Sequence, residues 1–212
     1  MRLFALVGVV AFAGVSHGQI VSTFDSDAEG WTGSEDFGDF EWVTEGNPAG
    51  SITARDRGDG RIWKYRASSA YEGEKSAFFG GTLSWDILGV TGNQTSISPR
   101  ADVLIVGGGI TIGLAAGVQP LVGEWTSWSV TLDASEDWRL VSDFADAAVS
   151  GRPVATEAEI QSVLNDIEGL YIRGEYTNGA DRTRLDNVEL VPGPGVLGVF
   201  GLMGVAARRR RG

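Results

Sequence analysis

The side chains of this sequence that could do chemistry are carboxylates and indoles. The chain holds 28 aspartates and glutamates, 7 tryptophans, one histidine and no cysteine. Without cysteine there is no thiolate nucleophile, no disulfide and no zinc–sulfur site. The single histidine, His17, sits in Ser16-His17-Gly18, a small-x-small sequence that reads as a cleavage site. Cleavage there removes it, and with it histidine bases, Ser-His-Asp triads and histidine metal sites. Carboxylates, hydroxyls and two lysines, Lys64 and Lys75, are left. No activating base beside a nucleophile is announced by any spacing.

Three residues stand out from that pool. Asp186 lies in Arg184-Leu-Asp-Asn-Val-Glu-Leu190. On strict alternation it shares a face with Val188 and Leu190, so it should point inward, where a carboxylate must be hydrogen-bonded or metal-bound. Asp25 opens the acidic turn Asp25-Ser26-Asp27-Ala28-Glu29-Gly30. That turn starts like an EF-hand loop, but its twelfth position is Asp36 and its flanks are not helical. First and last strands tend to lie close because chain termini do. Asp25 and Asp186 are therefore the expected metal ligands, with a structural calcium as the expected cofactor. Trp125 is the third. In EWTSWSVTL, Trp128, Val130 and Leu132 line one face and leave Trp125 on the other, where an indole can stack on a sugar ring.

The elements that must position these residues are mostly strands. Ile20 to Phe24 suits a first strand, and Arg61 to Arg66 alternates. Leu83, Trp85 and Ile87 fall on one face of another strand. VLIVGGGITIG lacks the third glycine of a nucleotide-binding loop, since Ile112 stands there, and it reads as a hairpin around glycines. The sequon Asn93-Gln94-Thr95 is too short a pattern to carry an argument. One helix is expected. Thr156 and Glu159 form a capping box, and Ile160, Val163, Leu164 and Ile167 make one apolar stripe that Gly169 should end. Leu170, Ile172 and Tyr176 then alternate with Tyr171, Arg173 and Glu175. A turn at Asn178-Gly179 should return Thr183 to Leu190 as the partner strand of a hairpin. A helix beside a hairpin suggests a lid over one end of a sandwich.

Length and charge bound the rest. The 212 residues give room for one sandwich domain with a full core, and 31 glycines suit a turn-rich β protein. The formal charge is −11. Five of the 17 basic residues, Arg2 and Arg208 to Arg211, lie at the two ends, so the middle carries an excess of 16 negative charges. Such a surface repels nucleic acid and anionic lipid. Residues 1–18 read as a signal peptide: Arg2, an apolar run from Leu3 to Val15, then the cleavage site.

From Tyr65 onward the chain resembles the laminin B domain (laminin domain IV). The resemblance is carried by the order of its pieces: YRASSAYEGEKSAFFGGTLSWDILGV, ADVLIVGGGITIGLAAG, PLVGEWTSWSVTLDASEDW, the helix, LYIRGEY and RLDNVEL, over residues 65–190. It implies an all-β, jelly-roll, galactose-binding-like β-sandwich with one short helix over residues 19–190. No cysteine array of the epidermal-growth-factor type surrounds it, so neither an animal laminin nor a role in a laminin network is expected. Val191-Pro192-Gly193-Pro194 breaks the strand register, Gly195 to Ala207 is apolar, and four arginines follow. This tail, residues 191–212, resembles the PEP-CTERM sorting signal of bacterial exporters, although glycine replaces the glutamate between the prolines. The resemblance implies an exosortase-type processing protease and inner-membrane engagement through residues 195–207. Together these readings predict an exported, non-catalytic surface or extracellular-matrix module that binds or packs against polysaccharide. A structural surface protein without ligand and a carboxylate-dependent glycan hydrolase or lyase are the alternatives.

Overall fold

The computed structural model describes residues 18–92, 99–177 and 179–194. The expected signal peptide except Gly18, the sequon at Asn93, the turn residue Asn178 and the tail beyond Pro194 lie outside the described residues. Among the described residues no helix is long and apolar enough to cross a membrane.

Two six-stranded sheets face each other. The first is built from β1 (Ile20–Ser22), β3 (Phe37–Glu45), β4 (Ala49–Asp56), β6 (Thr82–Thr91), β9 (Trp125–Thr131) and β12 (Arg182–Val191). Its order is β3-β4-β12-β6-β9, with the short β1 paired to the end of β12. The second holds β2 (Thr32–Ser34), β5 (Lys64–Arg66), β7 (Val103–Gly107), β8 (Ile110–Leu114), β10 (Arg139–Leu140) and β11 (Ile167–Arg173), in the order β10-β8-β7-β11-β5-β2. Every pairing between these strands is antiparallel. This is the expected all-β sandwich.

Alternation places the core between the sheets. Leu83, Trp85 and Ile87 of β6 are buried there with Ile52, Leu185 and Ile172. Large rings fill the middle edge to face, as in Trp63 against Tyr65 at 4.9 Å and Trp31 against Tyr71 at 5.4 Å. The glycine run forms the β7–β8 hairpin. Its two turn residues, Gly108 and Gly109, have φ of 57° and 75°, the sign that a two-residue turn of the primed type requires. A second apolar layer covers the outer face of the second sheet, where Val141, Ala147 and Val149 pack on Ala101 and Leu104.

The helix α1 (Glu157–Asn165) starts at the expected capping box and packs Ile160, Val163 and Leu164 over β7 and β8. Its end differs from the expectation. It stops at Asn165, because Ile167 exchanges backbone hydrogen bonds with Gly73 at 2.7 and 2.9 Å and begins β11. Gly169 lies inside β11 beside a register shift. The expected hairpin is also absent. β11 is paired on both sides by β5 and β7, whereas β12 lies between β4 and β6 in the other sheet. The connection between them crosses the sandwich and is pinned by the Asp181 carboxylate, which accepts the N–H groups of Tyr176 (2.8 Å) and Thr177 (3.1 Å).

Candidate functional site

The outer face of the first sheet brings together the residues singled out in the sequence. On the edge strand β9, Trp125, Ser127 and Ser129 stand opposite Leu88, Asp86 and Ser84 of β6. The next strand, β12, sets Arg184 opposite Leu88 and Asp186 opposite Asp86. Trp125 is half-buried and lies on this outer face, while Trp128 packs against the core. Just before it, Leu121 and Val122 are exposed; the Leu121 carbonyl accepts the Gly89 N–H and Gly123 donates to the Gly89 carbonyl, at the end of the same sheet. Towards β3 the face becomes a ladder of ion pairs, with Arg182 at 3.2 Å from Glu41 and Arg184 at 3.9 Å from Glu45. These pairs lie at the surface on the far side of the face from Trp125 and stabilise the fold little.

Asp186 is not where alternation put it. Asn187 has φ of 48°, and the pairing with β6 shifts between Asp186 and Glu189. That bulge reverses the parity of the strand: Leu185, Val188 and Leu190 face the core, and Asp186 points to the outer face. It is nonetheless fully buried, because the Asn47 loop between β3 and β4 folds over it. Asp186 accepts the Asn47 N–H at 2.6 Å and the Asn187 N–H at 2.7 Å, one on each oxygen. Asp86 accepts the side-chain amides of Asn47 (3.1 Å) and Asn187 (2.8 Å). Burial pushes the Asp186 carboxyl up to about 6 against those N–H bonds, with the charges of Asp86 and Asp25 adding to the rise.

Of the two expected calcium ligands, Asp25 is exposed and near enough for its charge to raise the Asp186 carboxyl, while the register partner of Asp186 is Asp86. The acidic turn is organised internally: Glu29 accepts the N–H groups of Thr23 and Phe24 at 3.1 and 2.7 Å, and Asp27 accepts that of Glu29. A calcium at Asp186 would have to displace two backbone donors. Among the described residues no three Asp, Glu or His side chains are grouped to hold a metal.

Sequence reasoning missed a second set of charges, buried beneath the layer that covers the second sheet. Lys64 and Arg173 are register partners on β5 and β11, and both are almost fully buried. Arg173 lies 3.7 Å from Asp102 and 4.7 Å from the Tyr176 ring, and the Lys64 ammonium lies 4.5 Å from the Phe144 ring. Burial pushes Asp102 up to about 6 and Glu175 up to about 7, and pulls Lys64 down to about 8. Raised carboxyls of this kind can serve as general acids. These two are only 2% and 7% exposed, too little to reach a substrate. A groove of about 570 Å³ runs between the β7–β8 hairpin and β10, over Ile110, Thr111, Leu140, Arg152 and Glu168. It contains neither an aromatic platform nor a carboxylate pair.

The sequence model of the family described as Laminin B (Domain IV) matches residues 64–193. Human laminin subunit gamma-1 is 28% identical over 192 residues, which cover 86% of this chain and 11% of the laminin. The chain thus spans about a tenth of the length of that relative. Among solved structures, the L4b domain of human laminin alpha-2 superposes with a TM-score of 0.52 at 20% identity, covering 66% of this chain and 79% of that one. The family 11 carbohydrate-binding module of Clostridium thermocellum, solved with a β-1,3-1,4-mixed-linked tetrasaccharide, superposes at 0.51 with 13% identity, covering 84% and 97%. An exo-β-agarase matches at 0.52 with 11% identity over 82% of this chain and 24% of the agarase chain. At these identities the structural likenesses establish the fold.

Proposed function

Because the chain belongs to the laminin B (domain IV) family, we propose that it works as an exported, non-catalytic module that holds polysaccharide on the outer face of its first sheet. The observation that carries this reading is Trp125, a half-buried indole on that face, with the exposed Ser127 and Ser129 on its own strand and Arg184 two strands away in register with it. An aromatic platform with hydroxyl groups along its strand suits a sugar ring, which stacks on one face and bonds at its rim. A sandwich of the same kind in a carbohydrate-binding module, solved with a mixed-linked tetrasaccharide, supports the reading. The excess of acid favours a neutral or cationic polymer over an anionic one. Binding without turnover is favoured because Asp86 and Asp186 are tied to the same two asparagines.

Affinity electrophoresis on a panel of neutral polysaccharides, mixed-linkage β-glucan among them, tests this directly. The protein should be retarded, and Trp125→Ala should weaken retardation roughly fivefold, the effect of about 1 kcal/mol of stacking. Absence of retardation on every polymer would favour a structural protein without ligand. Reducing-end or unsaturated-product release, lost on replacing a carboxylate pair, would favour the hydrolase or lyase.

The same proposal places the protein outside the cell. Its support is the apolar amino-terminal run, the proline motif with four terminal arginines, and membership of a family whose human relative is a laminin. Residues 191–212 are proposed as a sorting segment that engages the inner membrane and is processed by an exosortase-type protease. Deleting them should move the protein from the envelope fraction to the medium with its circular dichroism unchanged. Equal retention of the truncated and full chains in the envelope would refute the sorting role.

A further inference from the structure

Strand β9 ends the first sheet, and among the described residues its outer side is open from Trp125 to Ser129. The direction of its backbone groups is set at one end. Thr131 donates its N–H to the Glu136 carboxylate at 3.3 Å and accepts the Trp138 indole N–H at 2.9 Å, both on the side away from β6. Leu132, the next residue, bonds Gly80 and Gly81 on the β6 side. Pairing with β6 runs from Thr131 to Trp125 without a register shift. Ser129, Ser127 and Trp125 therefore aim their N–H and C=O groups outward as well. Among the described residues no backbone group bonds them there, and Ser127 and Ser129 are exposed.

Edges of this kind are normally blunted by charge, proline, a bulge or brevity. The sequence of β9, WTSWSVT, has none of the first three and runs for 7 residues. The other edges have them. β3 carries Asp39, Glu41 and Glu45, with a register shift between Gly38 and Glu41 and Asp39 at φ of 50°. In the second sheet β2 and β10 have 3 and 2 residues, and β10 is covered where Leu140 bonds Pro153.

We propose that β9 pairs with β9 of a second copy of this chain, antiparallel about a two-fold axis at Ser127. The edge complements itself. Trp125 falls opposite Ser129 of the second copy and Ser127 opposite its own equivalent, giving about six backbone hydrogen bonds in a closed, isologous contact. Charge selects the same partner. The chain is strongly acidic, and the seven residues of β9 include no ionisable side chain, so no like charges stand opposite one another within the paired segment. β3 cannot take its place, because its bulge interrupts the ladder. Pairing joins the two outer faces into one sheet surface and sets the two Trp125 residues about 14 Å apart on it. One long polymer can then engage both, a consequence that rests on the polysaccharide reading; the pairing itself does not.

The test uses the absence of cysteine from the chain. In a hydrogen-bonded antiparallel pair the Cα atoms lie about 5.5 Å apart, within disulfide range. Ser127→Cys should oxidise to a covalent dimer at least about tenfold faster than Ser129→Cys, whose two copies sit about 14 Å apart. Sedimentation of the unmodified full chain should show a concentration-dependent dimer. Ser127→Lys, which sets two lysines on the axis, should leave it monomeric with unchanged circular dichroism. A chain that stays monomeric at hundreds of micromolar overturns the pairing, as does equal cross-linking of the two cysteine variants. So does a mass shift seen only on adding a peptide or polysaccharide. Trp125→Ala separates the two readings, since it should weaken polymer binding and leave the dimer intact.

Discussion

Replacing Trp63 with alanine is expected to remove a large part of the stability of the fold. The residue is fully buried, its ring meets Tyr65 edge-on at 4.9 Å, and its indole N–H reaches Asp181 at 3.4 Å. Gly174 lies flat against the same ring: a Cβ at that position would fall 2.1 Å from it. Truncation thus opens a cavity that the backbone of residue 174 cannot close without moving, and it takes the indole donor from a buried carboxylate. Losses of this kind cost about 3–5 kcal/mol. Domains have about 5–15 kcal/mol in total. Urea unfolding should show a large fall in midpoint with an unchanged slope. A midpoint within a few tenths molar of the parent would contradict the packing described for Trp63.

The second large effect is on pH. Stability should fall between about pH 4 and pH 7 rather than rise, as it does in proteins whose carboxylates are ion-paired. Burial raises Asp102 to about 6, Asp186 to about 6 and Glu175 to about 7, all above their ordinary values of 3.8, 3.8 and 4.5. A carboxyl raised on folding binds its proton more tightly in the folded chain. Its contribution is complete below the unfolded pKa and is lost as pH climbs through the folded one. For Asp102, a rise of about two units corresponds to roughly 3 kcal/mol once it is fully ionised. Lys64 acts in the opposite direction at higher pH. Its folded pKa is pulled down to about 8, so stability returns as pH passes 8 towards its ordinary 10.5. Melting temperatures should pass through a minimum between about pH 7 and pH 8. Asp102→Asn should flatten the acid limb. A melting temperature that climbs steadily from pH 4 to pH 8 would show that these carboxyls are not buried as ionisable groups.

Local signals were legible in the sequence, and non-local ones were not. The capping box at Thr156, the glycine turn at 108–109 and the shared face of Leu83, Trp85 and Ile87 depend on residues a few positions apart, and each is found as expected. The placement of Trp125 opposite the core face of Trp128 followed from alternation alone. Asp186 failed because alternation holds only while the ladder is regular. A single residue at positive φ, Asn187, turned the rest of the strand over, and that bulge is held by partners 101 and 140 positions away. The supposed hairpin failed for a similar reason. Nothing local says that Arg182–Val191 pairs with β4 and β6 in the other sheet. Asp86 was readable, since Trp85 and Ile87 beside it face inward. Its significance came only with Asn47 and Asp186. The buried charges Lys64, Asp102 and Arg173 gave no sequence signal, because the 141–149 layer that covers their sheet is joined to it only by tertiary packing.

The pairing of β1 with β12 has a mechanical consequence. Ile20 lies against Leu190 and Ser22 against Val188, so the chain enters and leaves the sandwich at one end of the same two-strand ladder. Traction applied between those two points strains the rungs one after another, beginning at Ile20, as a zipper is drawn. It does not load them together as in shear. The fold therefore yields at low force when stretched between its ends, and bears almost none when held by either end alone. The same adjacency lets the module be spliced into a longer chain with its entry and exit side by side, displacing neither neighbour.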